Sequence, residues 1–296
     1  MLWIGVDAGA TKTESAAFGA DRERLSRAFE GPGNLVTDRD TAEGHILRAV
    51  QAVIPPGLLP EPAFICVGAA GADTGGNAEA LHTCLSRAIP GAQIRVMSDA
   101  RLALYAAHEG GDGMILIAGT GSIALARHGA AFRRAGGWGQ LLGDEGSGYD
   151  IVRRAFKRLL EQYEAGLGYD GLSQRILGHI GRDVFGAVQF FHDVSKGEIA
   201  ALLPLVIQCA GGGDAAAAAL LREAGRALAG LAARLYRYAG YTRRVSVRCV
   251  GGVFGGADTV RQAFAASLSE SEPQAVPDAA PVYVPAGALY ASAESD

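Results

Sequence analysis

Residues 2–18, LWIGVDAGATKTESAAF, decide the fold, because two apolar runs flank a turn of small residues at Gly9, Ala10 and Thr11. Apolar runs on both sides of a glycine-containing turn predict a β-hairpin. Small residues let backbone N–H groups approach an anion closely, and a threonine adds a hydroxyl donor. This stretch therefore predicts a hairpin whose turn binds phosphate.

The same pattern returns at residues 114–127, MILIAGTGSIALAR, with its turn at Gly119, Thr120 and Gly121. One such turn is weak evidence, but a copy in each half of the chain indicates two turns that bind the same polyphosphate. The repeat therefore predicts an enzyme that uses ATP.

Length and composition narrow the class of protein. The chain has 296 residues, 49% of them hydrophobic and 20% charged, with a formal net charge of −4. These values predict a globular protein of about two domains and give no reason to expect nucleic acid or a membrane surface as a partner. The longest apolar stretch, residues 215–235, contains four charged side chains and predicts a packed helix rather than a membrane span. No secretion signal is visible before the first strand, so a cytoplasmic location is expected.

The cysteines and histidines show no metal-binding pattern. Cys66, Cys84, Cys209 and Cys249 lie far apart, and two of them fall within apolar strand-like runs. This pattern is typical of reduced core cysteines, and no structural metal is expected.

Strands alternate with helices along the first half, which predicts an α/β domain with its ligand edge at the carboxyl ends of the strands. A glycine-rich stretch at residues 109–113 marks the boundary to a second half that repeats this order with a large helical insertion. In that insertion we expect three or four helices within residues 171–238. The tail predicts a loop at 269–280, a strand at 282–284 and a helix at 286–293.

Asp99 ends an apolar strand and precedes a helix, so it is either a helix N-cap or a carboxylate that faces the ligand. A carboxylate at this edge can accept the proton of a sugar hydroxyl as its oxygen attacks a γ-phosphate. Because the second hairpin follows soon after it, we predict that Asp99 is the catalytic base.

Asp7 ends the first strand directly before the turn. It is either a turn-forming residue or the carboxylate that holds Mg²⁺, directly or through water, beside the phosphates. Thr11 and Lys12 are expected to contact phosphate oxygens, although Lys12 is equally well explained as a solvated lysine at a strand edge.

Residues 136–148 are too rich in glycine and polar residues for regular structure, and a long irregular loop in a compact domain is commonly functional. Trp138 offers a flat face and Asp144 offers acceptors, which suits a sugar ring. Alternatively, Trp138 packs in the core, while Ser147 caps the next helix with Asp150 completing a capping box.

Three further sites each allow two interpretations. Asn34, after a Pro-Gly pair, suits either a left-handed turn or a hydrogen bond to sugar hydroxyls. Gly251 and Gly252, followed closely by Phe254, suit either strand–helix packing or a shelf for an adenine ring. Gly211, in a glycine run, suits either a helix–helix turn or the other wall of that pocket.

Taken in order, these motifs resemble the N-acetylglucosamine kinases of the BadF/BadG/BcrA/BcrD ATPase family, in the actin–hexokinase superfamily. The motifs are DAGATKTE at 7–14, GPGN at 31–34, SDA at 98–100, GTGS at 119–122, GGWGxxxGDEGS at 136–147, AGGGD at 210–214 and CVGGVF at 249–254. The resemblance covers essentially the whole chain, and the GGWG…GDEGS block after GTGS is its most specific part.

The resemblance implies two ribonuclease-H-like domains of the actin-like ATPase fold, with a cleft between them and a helical insertion in the second. The first domain would span residues 1–113 and be completed by a C-terminal helix at 286–296. The second would span 114–285, with the insertion at 150–240. A homodimer is also implied.

The resemblance implies roles for individual residues as well. Asp99 would be the catalytic base and touch the sugar, and Asp7 would hold Mg²⁺ through water. The implied ligands are Gly9, Thr11, Lys12, Gly119, Thr120 and Gly121 for the ATP phosphates, Gly211, Gly251, Gly252 and Phe254 for the nucleotide pocket, and Asn34, Ser122, Gly137, Trp138 and Asp144 for the sugar.

The residues and the resemblance together predict an enzyme that uses ATP and Mg²⁺ to phosphorylate the 6-hydroxyl of N-acetylglucosamine. Glucosamine kinases share this frame, and the combination of GGWG with GDEGS favours the N-acetylated sugar. An ATPase activator of a dehydratase or reductase would need iron–sulfur cysteines in an exposed motif, which the sequence lacks. A non-enzymatic binder switched by ATP would need no hydroxyl-activating base.

Overall fold

The chain divides into two compact units, each with its own sheet. A computed structural model describes residues 1–55 and 63–292. Unit 1 comprises Met1–Asp112 with Pro281–Asp296, and unit 2 comprises Gly113–Ala280.

Unit 1 is built on a five-stranded sheet. Its strands are β1 Leu2–Ala8, β2 Thr13–Phe18, β3 Arg24–Glu30, β4 Ala63–Ala69 and β5 Gln93–Met97. They are arranged in the order β3-β2-β1-β4-β5, with the first three antiparallel and with β4 and β5 parallel to β1. The predicted first hairpin is present, and Ala8 pairs with Thr13 at its end.

Helices cover this sheet. They are α1 Arg39–Val53, α2 Asn77–Ala88 and α3 Asp99–His108, and the unit is completed by a 3₁₀ turn at Val284–Gly287 and a short terminal helix at Ala288–Ala291. α1 begins where the Asp38 carboxylate accepts the Thr41 N–H. Apolar side chains of α1 and α2, such as Ile46 and Leu81, are buried against those of β1 and β4 in one core.

Unit 2 repeats the sheet topology of unit 1. Its strands are β6 Gly113–Ala118, β7 Ser122–His128, β8 Ala131–Gly136, β9 Val245–Val250 and β10 Ala275–Asp278. Their order is β10-β9-β6-β7-β8, with β6, β7 and β8 antiparallel and with β9 and β10 parallel to β6. Both predicted hairpins therefore occupy the same place in their sheets.

Each hairpin continues into a third strand that the sequence analysis did not predict. β3 reads RLSRAFE and β8 reads AFRRAG, and most of their side chains are exposed or half-buried. Both strands lie at a sheet edge, where backbone pairing with one neighbour forms the strand and an apolar pattern is not required.

The helices of unit 2 are concentrated in one insertion. They are α4 Gly148–Glu164, α5 Gly171–Ile180, α6 Val184–Asp193, α7 Lys196–Ala200, α8 Leu203–Gly211, α9 Ala215–Tyr238, α10 Gly252–Gly256 and α11 Asp258–Ser271. Five helices, α5 to α9, lie within the described residues 171–238, where three or four were predicted. The long helix α9 packs into the core as predicted, and across the described ranges no helix has the length and apolar character of a membrane span.

The tail differs from its prediction. α11 continues to Ser271 and β10 follows at Ala275–Asp278, so residues 269–280 are not a loop. Pro277 lies in β10, an edge strand, which is where a sheet tolerates a missing N–H. Residues 282–284, which the structure describes, form no strand.

Candidate active site

Asp7, near the carboxyl end of β1, and Asp99, which follows β5 and begins α3, lie close together in unit 1 beside Gly68 of β4. Asp7 pairs with Gly68 of β4. A Cβ on Gly68 would lie 2.6 Å from the Cβ of Leu102 and 3.1 Å from the Cα of Asp99, so the glycine lets α3 begin this close to the sheet. Ser98 occupies the N-cap position of α3 and Asp99 is the first helical residue, which corrects the N-cap interpretation of Asp99.

Burial and neighbouring charges disfavour ionisation of both carboxyl groups. Burial raises the pKa of Asp7 to about 7, and the charges of Asp99 and Glu14 act in the same direction. Burial also raises the pKa of Asp99, and the charge of Asp73 adds to this effect. A carboxylate whose pKa is raised toward neutrality is suited to accept a proton from a substrate.

The first turn leaves its tip open. The Gly9 N–H donates to the Lys12 carbonyl at 2.9 Å, and Thr11 is exposed. The Lys12 side chain is 60% exposed, with its Nζ 3.4 Å from Glu14 Oε2 and 5.2 Å from the centre of the Phe29 ring. Lys12 thus has the surroundings of a solvated lysine at a strand edge.

Asn34 is fixed beside the first turn by its neighbours. The Gly33 N–H donates to the Gly9 carbonyl at 2.9 Å, and the Leu35 N–H donates to the Ala70 carbonyl at 3.0 Å. Asn34 Oδ1 accepts the N–H two residues later at 2.9 Å, as a turn residue does. Its Nδ2 donates to no other residue of the described ranges, so the amide retains donors for a ligand.

The second turn has backbone hydrogen bonds similar to those of the first turn. The Gly119 N–H donates to the Gly121 carbonyl at 2.9 Å, and the Gly148 N–H at the start of α4 donates to the Gly119 carbonyl at 2.8 Å. Thr120 is exposed at the tip. Gly119, Thr120 and Gly252 line a cavity of about 640 Å³ within unit 2. A volume of this size is typical of small-molecule sites.

The helical insertion provides much of the remaining cavity wall. Its contributions include Gly197, Ala200, Ala201, Pro204 and Gln208. Most of these side chains are small or apolar, so the cavity beside the second turn has room for a flat ring.

In the part of the chain that the structure describes, three residues predicted for the nucleotide pocket do not line the cavity of unit 2. Gly252 lines the cavity, whereas Gly211, Gly251 and Phe254 do not. Gly251 has φ +105, and a Cβ there would lie 2.3 Å from the Ala118 carbonyl oxygen, so this glycine serves strand packing. Phe254 is buried in the core of unit 2, and Gly211 is the last residue of α8.

Asp144 lies behind the second turn and is only 3% exposed. Its Oδ1 accepts the Ser122 N–H at 3.1 Å, and its Oδ2 lies 2.5 Å from the Lys196 Nζ. Ser122 is buried too, and its hydroxyl donates to the Glu145 carbonyl at 2.8 Å. These two predicted sugar ligands therefore hold the glycine-rich loop onto the hairpin.

Trp138 is 62% exposed, so the interpretation that it packs in the core is wrong. The Arg134 guanidinium lies 4.5 Å from the centre of its ring and donates to the Gly136 carbonyl at 3.0 Å. The Gly137 N–H donates to the Ser122 carbonyl at 2.8 Å. The loop thus presents an aromatic ring that is held by a cation and still open to a ligand.

Ser147 caps α4 as predicted, because its Oγ accepts the Asp150 N–H at 3.2 Å. The Asp150 carboxylate does not complete a capping box. It accepts the Gly146 N–H at 3.1 Å and pairs with Arg153 and Arg154.

Sequence reasoning missed two residues of this site, Lys196 and Gln208. Both lie in the helical insertion, outside every motif that carried a prediction. The only local signal was Ser195 followed three residues later by Glu198, the pattern of a capping box, which places Lys196 at the start of a helix.

The carboxylates of unit 1 fit a magnesium ion that is bound together with ATP. Within residues 1–55 and 63–292 no group of three or more metal-ligating side chains is present. Mg²⁺ needs only one or two carboxylates when phosphates and water complete its shell. The raised pKa of Asp7 beside Asp99 and Glu14 marks a site where a cation would relieve repulsion.

Comparison with known proteins gives a consistent picture. The family model described as the BadF/BadG/BcrA/BcrD ATPase family matches residues 4–291. An N-acetylmuramic acid/N-acetylglucosamine kinase of Clostridium acetobutylicum is 33% identical over 236 residues, 76% of each chain. A glucosamine kinase of Vibrio cholerae is 27% identical over 225 residues, 75% of this chain and 76% of the relative. A crystal structure from Chromobacterium violaceum, of a protein proposed to be an N-acetylglucosamine kinase, has a TM-score of 0.79 and 25% identity, with 98% of both chains covered.

Proposed function

The chain belongs to the BadF/BadG/BcrA/BcrD ATPase family, and from that premise we propose that it is an ATP-dependent kinase that phosphorylates the 6-hydroxyl of N-acetylglucosamine. The curated relatives support the use of ATP and phosphorylation of an amino sugar. The choice of N-acetylglucosamine rests on the GGWG and GDEGS motifs and on the relative that is 33% identical.

The observation that carries the proposal is the placement of Asp99 beside Asp7. Both carboxyl groups have a raised pKa, so each is held where a proton or a cation is favoured. A carboxylate whose pKa is raised is a stronger base, so it accepts the proton of a hydroxyl more readily. An ATPase switch without a substrate hydroxyl has no need of it.

In the proposed reaction Asp99 accepts the proton of the sugar 6-hydroxyl as the hydroxyl oxygen forms a bond to the γ-phosphorus. The bond from the γ-phosphorus to the bridging oxygen breaks, and ADP leaves with the electron pair. Phosphoryl transfer needs little covalent help, so positioning and charge stabilisation supply most of the rate.

The two turns would hold the phosphates during this step. Their backbone N–H groups and the exposed hydroxyls of Thr11 and Thr120 are suitable donors to phosphate oxygens. When bound, Mg²⁺ would neutralise charge on the phosphates, and Asp7 would hold it through water. Lys12 would add positive charge near the first turn.

The sugar would be held by the Asn34 amide, the exposed face of Trp138 and the backbone near Gly137. Asp144 and Ser122 would support sugar binding indirectly. Their polar groups hydrogen-bond within unit 2 and hold the glycine-rich loop in place. The resemblance also supports a homodimer, whose mass light scattering would measure.

Glucosamine is the second candidate substrate, because a glucosamine kinase is among the relatives. The name of the Clostridium relative adds N-acetylmuramic acid to the sugars to be tested. Selection among them depends on the shape of the pocket around the 2-substituent and the 3-substituent of the ring.

The first experiment measures ADP release with Mg-ATP and a panel of N-acetylglucosamine, glucosamine, N-acetylmuramic acid, N-acetylmannosamine and glucose. We expect the highest kcat/KM for N-acetylglucosamine, and the NMR spectrum of its product should show phosphate on the 6-position. A preference for glucosamine or N-acetylmuramic acid would change the substrate and keep the mechanism. ADP release that no sugar increases would refute the kinase proposal.

A further inference from the structure

An ion pair connects two walls of the cavity in unit 2, and the inference drawn from it rests on the ATP binding proposed above. Gly119 and Thr120 form one wall, and Gly197, Ala200 and Ala201, in and just after α7, form another. A helix of five residues such as α7 is not stable without contacts to the rest of the fold. The contacts that fix α7 against the turn therefore fix the width of the cavity.

The pair joins Lys196, the first residue of α7, to Asp144 of the glycine-rich loop. Lys196 Nζ lies 2.5 Å from Asp144 Oδ2, and Asp144 Oδ1 accepts the Ser122 N–H at 3.1 Å. Ser122 opens β7 directly after Gly121 of the turn. The Asp144 carboxylate thus links α7 to the second turn by accepting one hydrogen bond from each. Hydrogen bonds to an ionised acceptor are stronger than those between neutral groups.

The surroundings of the pair leave it little freedom. A Cβ on Gly121 would lie 2.8 Å from Asp144 Oδ1 and 3.1 Å from Lys196 Nζ. Asp144 has φ +64, a left-handed conformation that aspartate adopts more readily than most residues with a side chain. The Asp144 side chain is 4% exposed, and the Lys196 side chain, which is 30% exposed, places a positive charge beside it.

α7 has further contacts that keep it folded without this pair. Ile199 is buried in the core of unit 2, and Ser195 and Glu198 form a capping box at its start. Neither contact involves the second turn. α7 also packs on the start of α4, where a Cβ on Gly148 would lie 3.6 Å from the Ala200 Cβ. Loss of the ammonium is therefore expected to loosen the wall against the turn while the unit stays folded.

We propose that Lys196 is a positioning residue for the nucleotide. Through Asp144 its ammonium holds the α7 wall at the distance from the second turn at which the cavity accepts ATP. Without the ammonium the wall is held less firmly against the turn, and the nucleotide must order it when it binds.

The test is calorimetric titration with MgADP in the absence of sugar. Lys196→Met is expected to bind MgADP roughly tenfold more weakly than the wild type. Lys196→Arg keeps the cation and should recover most of that loss. Lys157→Met, which removes an exposed lysine of α4, is the matched control and should bind like the wild type.

A second variant separates positioning from folding. Lys196→Met/Asp144→Asn removes both charges, so it should regain the melting temperature that the single variant loses, yet still bind MgADP weakly. Wild-type affinity for MgADP in either variant would overturn the inference, and so would a wild type that binds no MgADP. A wild type that binds MgADP and phosphorylates no sugar would refute the proposed function, and the titration would still decide the role of Lys196.

Discussion

At the scale of the residue, the site depends on carboxyl groups that are held away from water. Asp7 ionises with a pKa of about 7 because burial penalises its charge and because Asp99 and Glu14 repel it. The same forces that make these carboxylates receptive to a proton or a metal ion also make them costly to the folded protein at high pH.

Asp7→Asn should therefore stabilise the metal-free protein more at pH 8 than at pH 5. The folded-state pKa of about 7 lies above the ordinary 3.8, so the folded protein binds this proton more tightly than the unfolded chain does. Stability is consequently lost as the pH rises from about 4 to 7, and the shift sets a ceiling of about 4 kcal/mol on the loss. The measurement is the free energy of unfolding by denaturant at both pH values in EDTA.

Asp40→Asn provides the control, because Asp40 is exposed in the first turn of α1. Its effect on the free energy of unfolding should differ little between the two pH values. An equal effect of Asp7→Asn at pH 5 and pH 8 would contradict the raised pKa of Asp7.

Single residues were predictable from the sequence where a local rule placed them. Asp7 and Asp99 were predicted for the site because carboxylates at the ends of strands face the ligand edge of an α/β sheet, and the structure places them close together. Lys196 was not, because its partner Asp144 lies 52 positions away and only the folded insertion brings them together. Phe254 was predicted for the nucleotide pocket from the CVGGVF motif, and in the structure its side chain is buried in the core of unit 2.

At the scale of the element, the terminal segment, which comprises the 3₁₀ turn at Val284–Gly287 and the helix at Ala288–Ala291, packs closely against the backbone of β1. A Cβ on Gly5 would lie 1.8 Å from the Pro285 carbonyl oxygen. The Trp3 Nε1–H donates to Ser292 Oγ at 3.1 Å farther along the same contact. The 3₁₀ turn and the short helix can thus pack this closely on β1 because Gly5 has no side chain.

Gly5→Ala should destabilise the protein by about 3 kcal/mol, because the added methyl group displaces backbone that cannot move aside easily. The measurement is the free energy of unfolding by denaturant, together with limited proteolysis of the terminal segment. Gly178→Ala is the matched control, since a Cβ there has nothing within 4 Å and the residue lies in α5. It should stabilise by about 0.5–1 kcal/mol through helix propensity. Unfolding of Gly5→Ala at the wild-type free energy would contradict this account.

Secondary-structure elements were predictable where burial requires a recognisable pattern of apolar residues in the sequence. The two hairpins follow apolar runs on both sides of glycine-containing turns, and the sequence locates them well. β3, β8 and α7 do not, because edge pairing and packing against neighbours form them rather than their own apolar pattern. The contact between Gly5 and Pro285 joins positions too distant for any local rule.

At the scale of the whole molecule, one sheet topology occurs twice, with different features beside the strand ends of each copy. The sheet of unit 1 bears the carboxylates Asp7 and Asp99 at the ends of its strands. The sheet of unit 2 bears the cavity lined by Gly119, Thr120 and Gly252. The repeat of the hairpin turns was visible in the sequence, whereas this division of labour needed the structure, because no motif distinguishes a cavity wall from a packed glycine.

Because the proposed base, Asp99, is not among the residues proposed to hold the nucleotide, turnover and nucleotide binding should be separable. The measurement that tests the central claim most directly compares kcat for N-acetylglucosamine and the affinity for MgADP in the wild type and in Asp99→Asn. Loss of the base is expected to lower kcat roughly 10³-fold while the affinity for MgADP stays unchanged. An Asp99→Asn enzyme that keeps wild-type kcat would contradict the assignment of Asp99 as the base, and with it the reaction proposed for this protein.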